Sequence, residues 1–300
     1  MNCGVGISIP DVEPHLLRTF LAVADTGSFS AAAERLRYTQ SAVSQQVAAL
    51  EADLGTPLLT RRPVALTPAG ERLRRHAALI LVRLEAARAD VTRAVAPPGR
   101  LAVGLTPLAW LPAVAAALAR IRAESSRLRT RVWIADRDRI AAAVATGELD
   151  LGLVDGFAAP NDPLRLPDPD GPRSVGVADS PAVVAVPAGH PLAGRAAVDL
   201  ADLADAYWID APQVAPFGRL PVDGLRASLR YDGTDVAVLA GLVAGGHGLA
   251  VLPRHCVTDP GLSGVPIGSP RLVHRVEMMR LDQDAGEPAV RLAGLLSAAT

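Results

Sequence analysis

Gly27-Ser28-Phe29-Ser30-Ala31-Ala32-Ala33-Glu34-Arg35-Leu36 is followed, after only Arg37 and Tyr38, by Thr39-Gln40-Ser41-Ala42-Val43-Ser44-Gln45-Gln46-Val47-Ala48-Ala49-Leu50-Glu51. Each half has the spacing of a short amphipathic helix. In the second, Val43, Val47 and Leu50 fall on one inward face, Thr39 stands at the N-cap position, and Ser and Gln occupy the outer face. Two such helices joined by a two-residue connection predict a helix-turn-helix, with the second helix shaped to enter a DNA major groove.

Working outward, a first helix is expected over about 13–25, packing Leu16, Leu17, Phe20, Leu21 and Val23 against the pair; Gly27 ends it and Ser28 or Ser30 caps the next. After Gly55-Thr56-Pro57, residues 58–66 predict a short two-stranded wing bearing Arg61 and Arg62. Thr67-Pro68 opens a long helix: Thr is a good N-cap, Pro suits the first turn, and Glu71 lies at the positive end of the dipole. Its apolar positions Leu73, Ala77, Ile80, Leu84, Ala87, Val91 and Ala94 alternate four and three apart. That heptad seam predicts a dimerising linker helix over 67–96, although one amphipathic helix packed on its own domain would carry a similar stripe. Pro97-Pro98-Gly99 predicts a hinge at 97–100.

From Arg100 the pattern changes to alternating strands and helices: strands over 101–105, 129–135 and 149–154, helices over 107–123 and 137–146. Repeated β-α units predict a parallel sheet covered by helices on both faces. Val236 to Pro253 is the longest apolar stretch, but four Gly and His247 interrupt it, so it reads as a helix followed by a buried strand rather than a membrane span. The Pro- and Asp-rich segment 161–172 reads as a surface loop.

The wording of several segments closely resembles LysR-type transcriptional regulators. In the amino-terminal part these are Ser28-Phe29-Ser30-x-Ala32-Ala33-x-x-Leu36, Gln40-Ser41-Ala42-Val43-Ser44, Leu50-Glu51-x-x-Leu54-Gly55-x-Pro57-Leu58 and Leu66-Thr67-x-Ala69-Gly70. Further on, Gly147-Glu148-Leu149-Asp150-Leu151-Gly152-Leu153, Gly189-His190-Pro191-Leu192 and the run from Val243 to Pro253 resemble the same family's effector domain. The resemblance implies a winged helix-turn-helix domain at 13–70, the linker helix, and a periplasmic-binding-protein-like α/β effector domain at 101–300. Its subdomain I would comprise about 101–172 and 265–300, and subdomain II about 174–264. It also implies a homodimer or homotetramer, an interrupted palindromic operator of double-stranded DNA, and a small-molecule effector in the cleft between subdomains.

Base-edge readout needs side chains that offer donor and acceptor together. Gln40, Ser41, Ser44 and Gln45 are therefore the candidates on the second helix, with Gln40 shared between capping and phosphate. Many relatives place basic residues where Ala48 and Ala49 stand, and the wing here is pared to Arg61-Arg62-Pro63-Val64-Ala65; Arg35, Arg37, Arg61 and Arg62 remain as phosphate candidates. In the effector domain the strand ending at Leu105 and the helix expected from Pro107 place the Thr106 hydroxyl and free backbone N–H groups at the cleft. Relatives commonly hold Ser or Thr there against the effector. An anion is expected at Thr106, with Asp136, Asp155, Ala211 and His247 as further wall residues; alternatively, Thr106 is an N-cap alone.

Composition agrees with this reading. Residues 1–100 carry 12 Arg against 9 acids, and the remainder carries 18 Arg against 22 acids; Lys is absent, so every cationic contact is a guanidinium. Two cysteines, Cys3 and Cys256, exclude a disulfide framework, and the first fourteen residues lack the pattern of a signal peptide, which together predict a cytoplasmic protein. The rival class is an enzyme or solute-binding α/β domain fused to a DNA-binding domain. His190, His247, His255, His274 and Cys256 fall in no metal-ligand spacing, Ser263 lacks a nucleophile elbow, and the Gly245-Gly246-x-Gly248 run follows a helix rather than a strand. No catalytic residue, cofactor or metal is therefore expected.

Overall fold

The computed structural model describes residues 12–94, 99–164, 173–281 and 286–298. Cys3, the start of the hinge at 97–98 and most of the loop at 165–172 lie outside them. The chain divides into two compact units, 1–88 and 89–300.

The first unit is built from α1 (Pro14–Thr26), α2 (Phe29–Leu36), α3 (Gln40–Asp53), the strands β1 (Leu59–Arg61) and β2 (Val64–Leu66), and the start of α4 (Pro68–Ala94). The punctuation is as expected. Gly27 closes α1 in the left-handed region at φ 62°, and Ser28, rather than Ser30, caps α2 by accepting from the Ala31 N–H. Thr39 caps α3 through the Ala42 N–H, and Thr67 caps α4 through the Gly70 N–H. Phe20, Val23, Ala32, Val43, Val47, Leu50 and Leu58 form a dry core, worth about 1.5–3 kcal/mol for each large side chain buried.

The linker seam divides in two. Ala77 is fully buried in this same core, and Leu73 and Leu81 pack against it, so Leu73 and Ala77 are not available to a partner chain. Ile80 and Val91 are exposed, Ala87 is exposed and Leu84 is half-buried, so the same stripe is left open toward the C-terminal end of α4. The heptad is one helix face, whose first turns are taken up by the chain's own domain and whose later turns are not.

The second unit contains β3 (Arg100–Leu105), α5 (Pro112–Glu124), β4 (Arg129–Ile134), α6 (Arg137–Ala145), β5 (Leu151–Ala158), β6 (Arg173–Pro187), β7 (Val198–Asp199), β8 (Tyr207–Asp210), β9 (Arg226–Arg230), α7 (Val236–Ala244), β10 (Ala250–Pro253), β11 (Leu262–Ser269), β12 (Val273–Arg280) and α8 (Glu287–Ser297). The main sheet runs β4-β3-β5-β12-β6-β11-β7, with β10 also on β6. It is mixed, not parallel. β3, β4 and β5 are parallel, whereas β12 enters antiparallel between β5 and β6. Helices do cover both faces: α5 and α8 pack on one, and α6 on the other through Ile140, Ala143 and Val144.

The expected boundary at 172–174 also changes. β6 pairs with β12 from Ser174 to Pro181 and with β10 from Ala182 onward, so one strand serves both subdomains, and the chain returns between Ser269 and Val273. The helix expected from Pro107 is replaced by a three-residue 3-10 turn, Pro107–Ala109, and α5 begins only at Pro112. Proline disfavours helical geometry in the residue before it, and Leu111 is extended at ψ 152°.

Candidate nucleic-acid interface and ligand cavity

On α3, Gln40, Ser41 and Gln45 are exposed and Ser44 is half-buried; Ser41 and Gln45, four residues apart, share the face opposite Val43, Val47 and Leu50, while Gln40 stands at the amino end of the helix. Ser41 Oγ lies 3.0 Å from Thr39 Oγ1, so it shares the cap. Gln46, next in sequence, is withdrawn from this face because its Oε1 accepts from Thr19 Oγ1 at 2.6 Å.

The four arginines differ. Arg35 lies 3.6 Å from Asp25, while Arg37 ends α2 in the left-handed region and its side chain is exposed. Arg61 is held by the protein itself: Nη2 meets Glu51 Oε2 at 3.1 Å and the guanidinium lies 4.9 Å over the Phe29 ring. Arg62, one residue on, is exposed. Glu51, which the sequence reading left without a role, also accepts from the Leu58 and Leu59 N–H groups at 2.8 and 3.1 Å, thereby fixing the start of the wing.

In the second unit a cavity of about 770 Å³ lies between the subdomains. Thr106, Asp136, Arg137, Asp138 and Asp155 line it from one side, Gln213, Val214, Arg219 and Leu220 from the other, and Phe157 and Leu272 at the crossover. Thr106, Asp136 and Asp155 are thus brought together as expected, but Ala211 and His247 do not line it. Ala211 is fully buried in the subdomain II core, and His247 is exposed just beyond α7.

Thr106 does not cap a helix. Its hydroxyl donates to the Leu153 carbonyl at 3.4 Å and accepts from the Asp155 N–H at 3.0 Å, joining β3 to β5. The helix start that faces the cavity is that of α6, capped by Asp136 through the Arg139 N–H at 2.9 Å.

Arg137, missed from sequence, is the buried cation of this site. Its Nη2 donates to the Asp155 carbonyl. Burial, and then the neighbouring Arg219 guanidinium, hold it below the usual arginine range. Arg219 Nη2 in turn reaches Asp138 Oδ1 at 3.5 Å, an ion pair across the cleft. Glu277, buried behind the wall, accepts from the Leu164 N–H at 2.7 Å and holds the lip of the cavity in place. Asp155 Oδ2 lies 3.0 Å from His274 Nε2. Among the described residues, no three His, Cys, Asp or Glu side chains are placed to hold a metal ion, and no helix is long and apolar enough to cross a membrane.

Comparison with known proteins covers both units. Residues 14–71 match the bacterial regulatory helix-turn-helix of the lysR family, and residues 95–293 match the LysR substrate binding domain. A probable hydrogen peroxide-inducible genes activator of Mycobacterium avium is 31% identical over 294 residues, covering 93% of this chain and 92% of its own. The Hca operon transcriptional activator HcaR of Escherichia coli K12 is 28% identical, covering 81% and 82%. Among solved structures, a cysteine mutant of Corynebacterium glutamicum OxyR aligns with TM-score 0.51 and 25% identity over 97% of this chain and 92% of its own. Full-length BenM aligns with TM-score 0.52 and 24% identity over 96% of each.

Proposed function

This chain belongs to the LysR family of bacterial transcriptional regulators, and from that premise we propose that it grips an interrupted palindromic operator as a homodimer or a pair of dimers and is switched by a small anionic effector in the 770 Å³ cavity. The operator reading is carried by the outward face of α3, where the exposed Gln45 side chain has no hydrogen-bond partner among the described residues. Two copies joined along Ile80, Leu84, Ala87 and Val91 of α4 would present two such helices to two half-sites, the arrangement a palindrome requires. Its place of action would be the cytoplasm.

Gln45→Ala is expected to cost about 1–3 kcal/mol on the cognate operator and much less on random DNA, read by titration at fixed salt. Equal weakening on both would assign Gln45 to the DNA backbone.

The anionic reading moves from Thr106 to Arg137 and Arg219. Three acids around them are already engaged: Asp136 caps α6, Asp138 meets Arg219, and Asp155 meets His274. Two guanidinium groups placed together beneath an apolar roof repel each other, and a carboxylate between them would relieve that repulsion while displacing Asp138. A thermal-shift screen of metabolite carboxylates should find a ligand that stabilises the domain by roughly 2.7 kcal/mol at about 100 times its Kd. For that ligand, Arg219→Ala should weaken binding about tenfold or more, the loss of one charge-assisted hydrogen bond. Undiminished binding to that variant would place the anion elsewhere.

The peroxide in the name of the Mycobacterium avium relative finds no support in Cys256. Burial, and then Asp155, push its thiol up to about 11, whereas attack on an oxidant needs the thiolate.

A further inference from the structure

Behind the cavity wall, three chain segments meet at the point where the strands cross between subdomains. His274 on β12 lies opposite Phe157 on β5 and Ser180 on β6. It is almost fully buried, its Nε2 meets Asp155, and its Nδ1 lies 3.5 Å from Ser180 Oγ. Subdomain II contributes His255, on the 3-10 turn Arg254–Cys256 that follows β10; its ring meets that of His274 edge-on, with centroids 6.0 Å apart. The other titratable groups around the pair are Asp179 on β6, clamped by Arg275, and the neutral thiol of Cys256 on the same turn as His255.

We infer that Asp155, His274 and His255 form a proton-operated latch seating subdomain II on the crossover strands, released when His255 gains a proton. With His255 neutral, its ring edge packs on His274 while Asp155 holds the other side of that ring. When His255 gains a proton in acid, its charge is set 6.0 Å from the buried His274 ring, whose own nitrogen already engages the one nearby buried carboxylate, Asp155. The turn carrying His255 is then driven off the strand, and because Asp155 lines the cavity, the loosening reaches the ligand site.

Burial, and then His274, hold His255 below the ordinary histidine range, outweighing the pull of Asp155. The neutral form is therefore the one the seated state favours. Seating is complete above about pH 6.5 and is lost as pH falls through that value and below, where the released state binds the proton better.

The test is hydrogen exchange of the full-length chain at pH 7.5 and 5.0, corrected for intrinsic rates and read at 251–257 and 273–278. Wild-type protection should fall in acid, about tenfold for each unit by which His255 titrates below its ordinary value. His255→Gln, a change at an exposed position, should keep its neutral-pH protection at pH 5.0. An independent readout is the His255 ring signal by NMR, which should titrate at higher pH in His274→Gln than in wild type. Protection that does not change with pH in the wild type overturns the latch. So does a full acid response in His255→Gln, which would assign the effect to another group such as Asp179.

Discussion

Leu84→Glu is expected to turn the full-length chain from a dimer into a monomer in sedimentation velocity and to abolish operator binding with it. Leu84 sits in the middle of the open part of the α4 stripe, between exposed Ile80 and Val91, past the turns of that stripe already packed in its own domain. In a dimer built on that stripe, each copy would place a carboxylate opposite its partner. An uncompensated buried charge costs about 3–5 kcal/mol, and two of them would weaken association by roughly four orders of magnitude or more. Half-buried in one chain, position 84 tolerates Glu in the monomer, so helix content should be retained. An unchanged sedimentation coefficient would move the interface off this stripe.

Gly70→Ala is expected to lower the thermal midpoint of the N-terminal domain, against the ordinary sign of that substitution. In a helix, Gly→Ala normally stabilises by roughly 0.5–1 kcal/mol. At Gly70, however, an added Cβ would lie 2.1 Å from the Leu58 carbonyl oxygen and 2.9 Å from Leu66 Cδ2. The clash is with backbone, and that backbone is tied: the Leu58 carbonyl accepts from the Thr67 N–H at 2.9 Å, and Thr67 Oγ1 donates to the Pro57 carbonyl at 2.8 Å. Overpacking of this kind costs about 1–3 kcal/mol, which for a small domain is a fall of roughly 4–8 °C per kcal/mol in calorimetry. A raised midpoint would show that the wing and the start of α4 separate easily.

The first unit was the more legible from sequence because its signals are local. Ser28, Thr39 and Thr67 lie within three residues of the N–H groups they cap, and Val43, Val47 and Leu50 declare one helix face. What escaped there was where along α4 its one stripe passes from the domain core, at Ala77, to open surface, since the spacing is the same on both sides. In the second unit the sheet order depends on β12, more than a hundred residues from β5, and no local pattern announces that pairing. The same distance hid His274 from Asp155 and Glu277 from Leu164. Arg137 was hidden for a different reason: between two aspartates in a charged helix start, it looks like solvated surface until the fold buries it. The break before α5, by contrast, was written in Leu111-Pro112.

β6 is a single fifteen-residue strand whose first half is zipped to β12 and whose second half is zipped to β10 and β11. That has a bearing on ancestry. A recombination event replacing one half of this sensory region alone would have to preserve the alternation of side chains on a ribbon shared with the other half, because a slip of one residue would turn every inward Val of β6 outward. New ligand preferences are therefore reached more readily by point changes along the cavity wall than by exchange of half-domains. The two halves descend together, as a hereditary unit bound by their common thread.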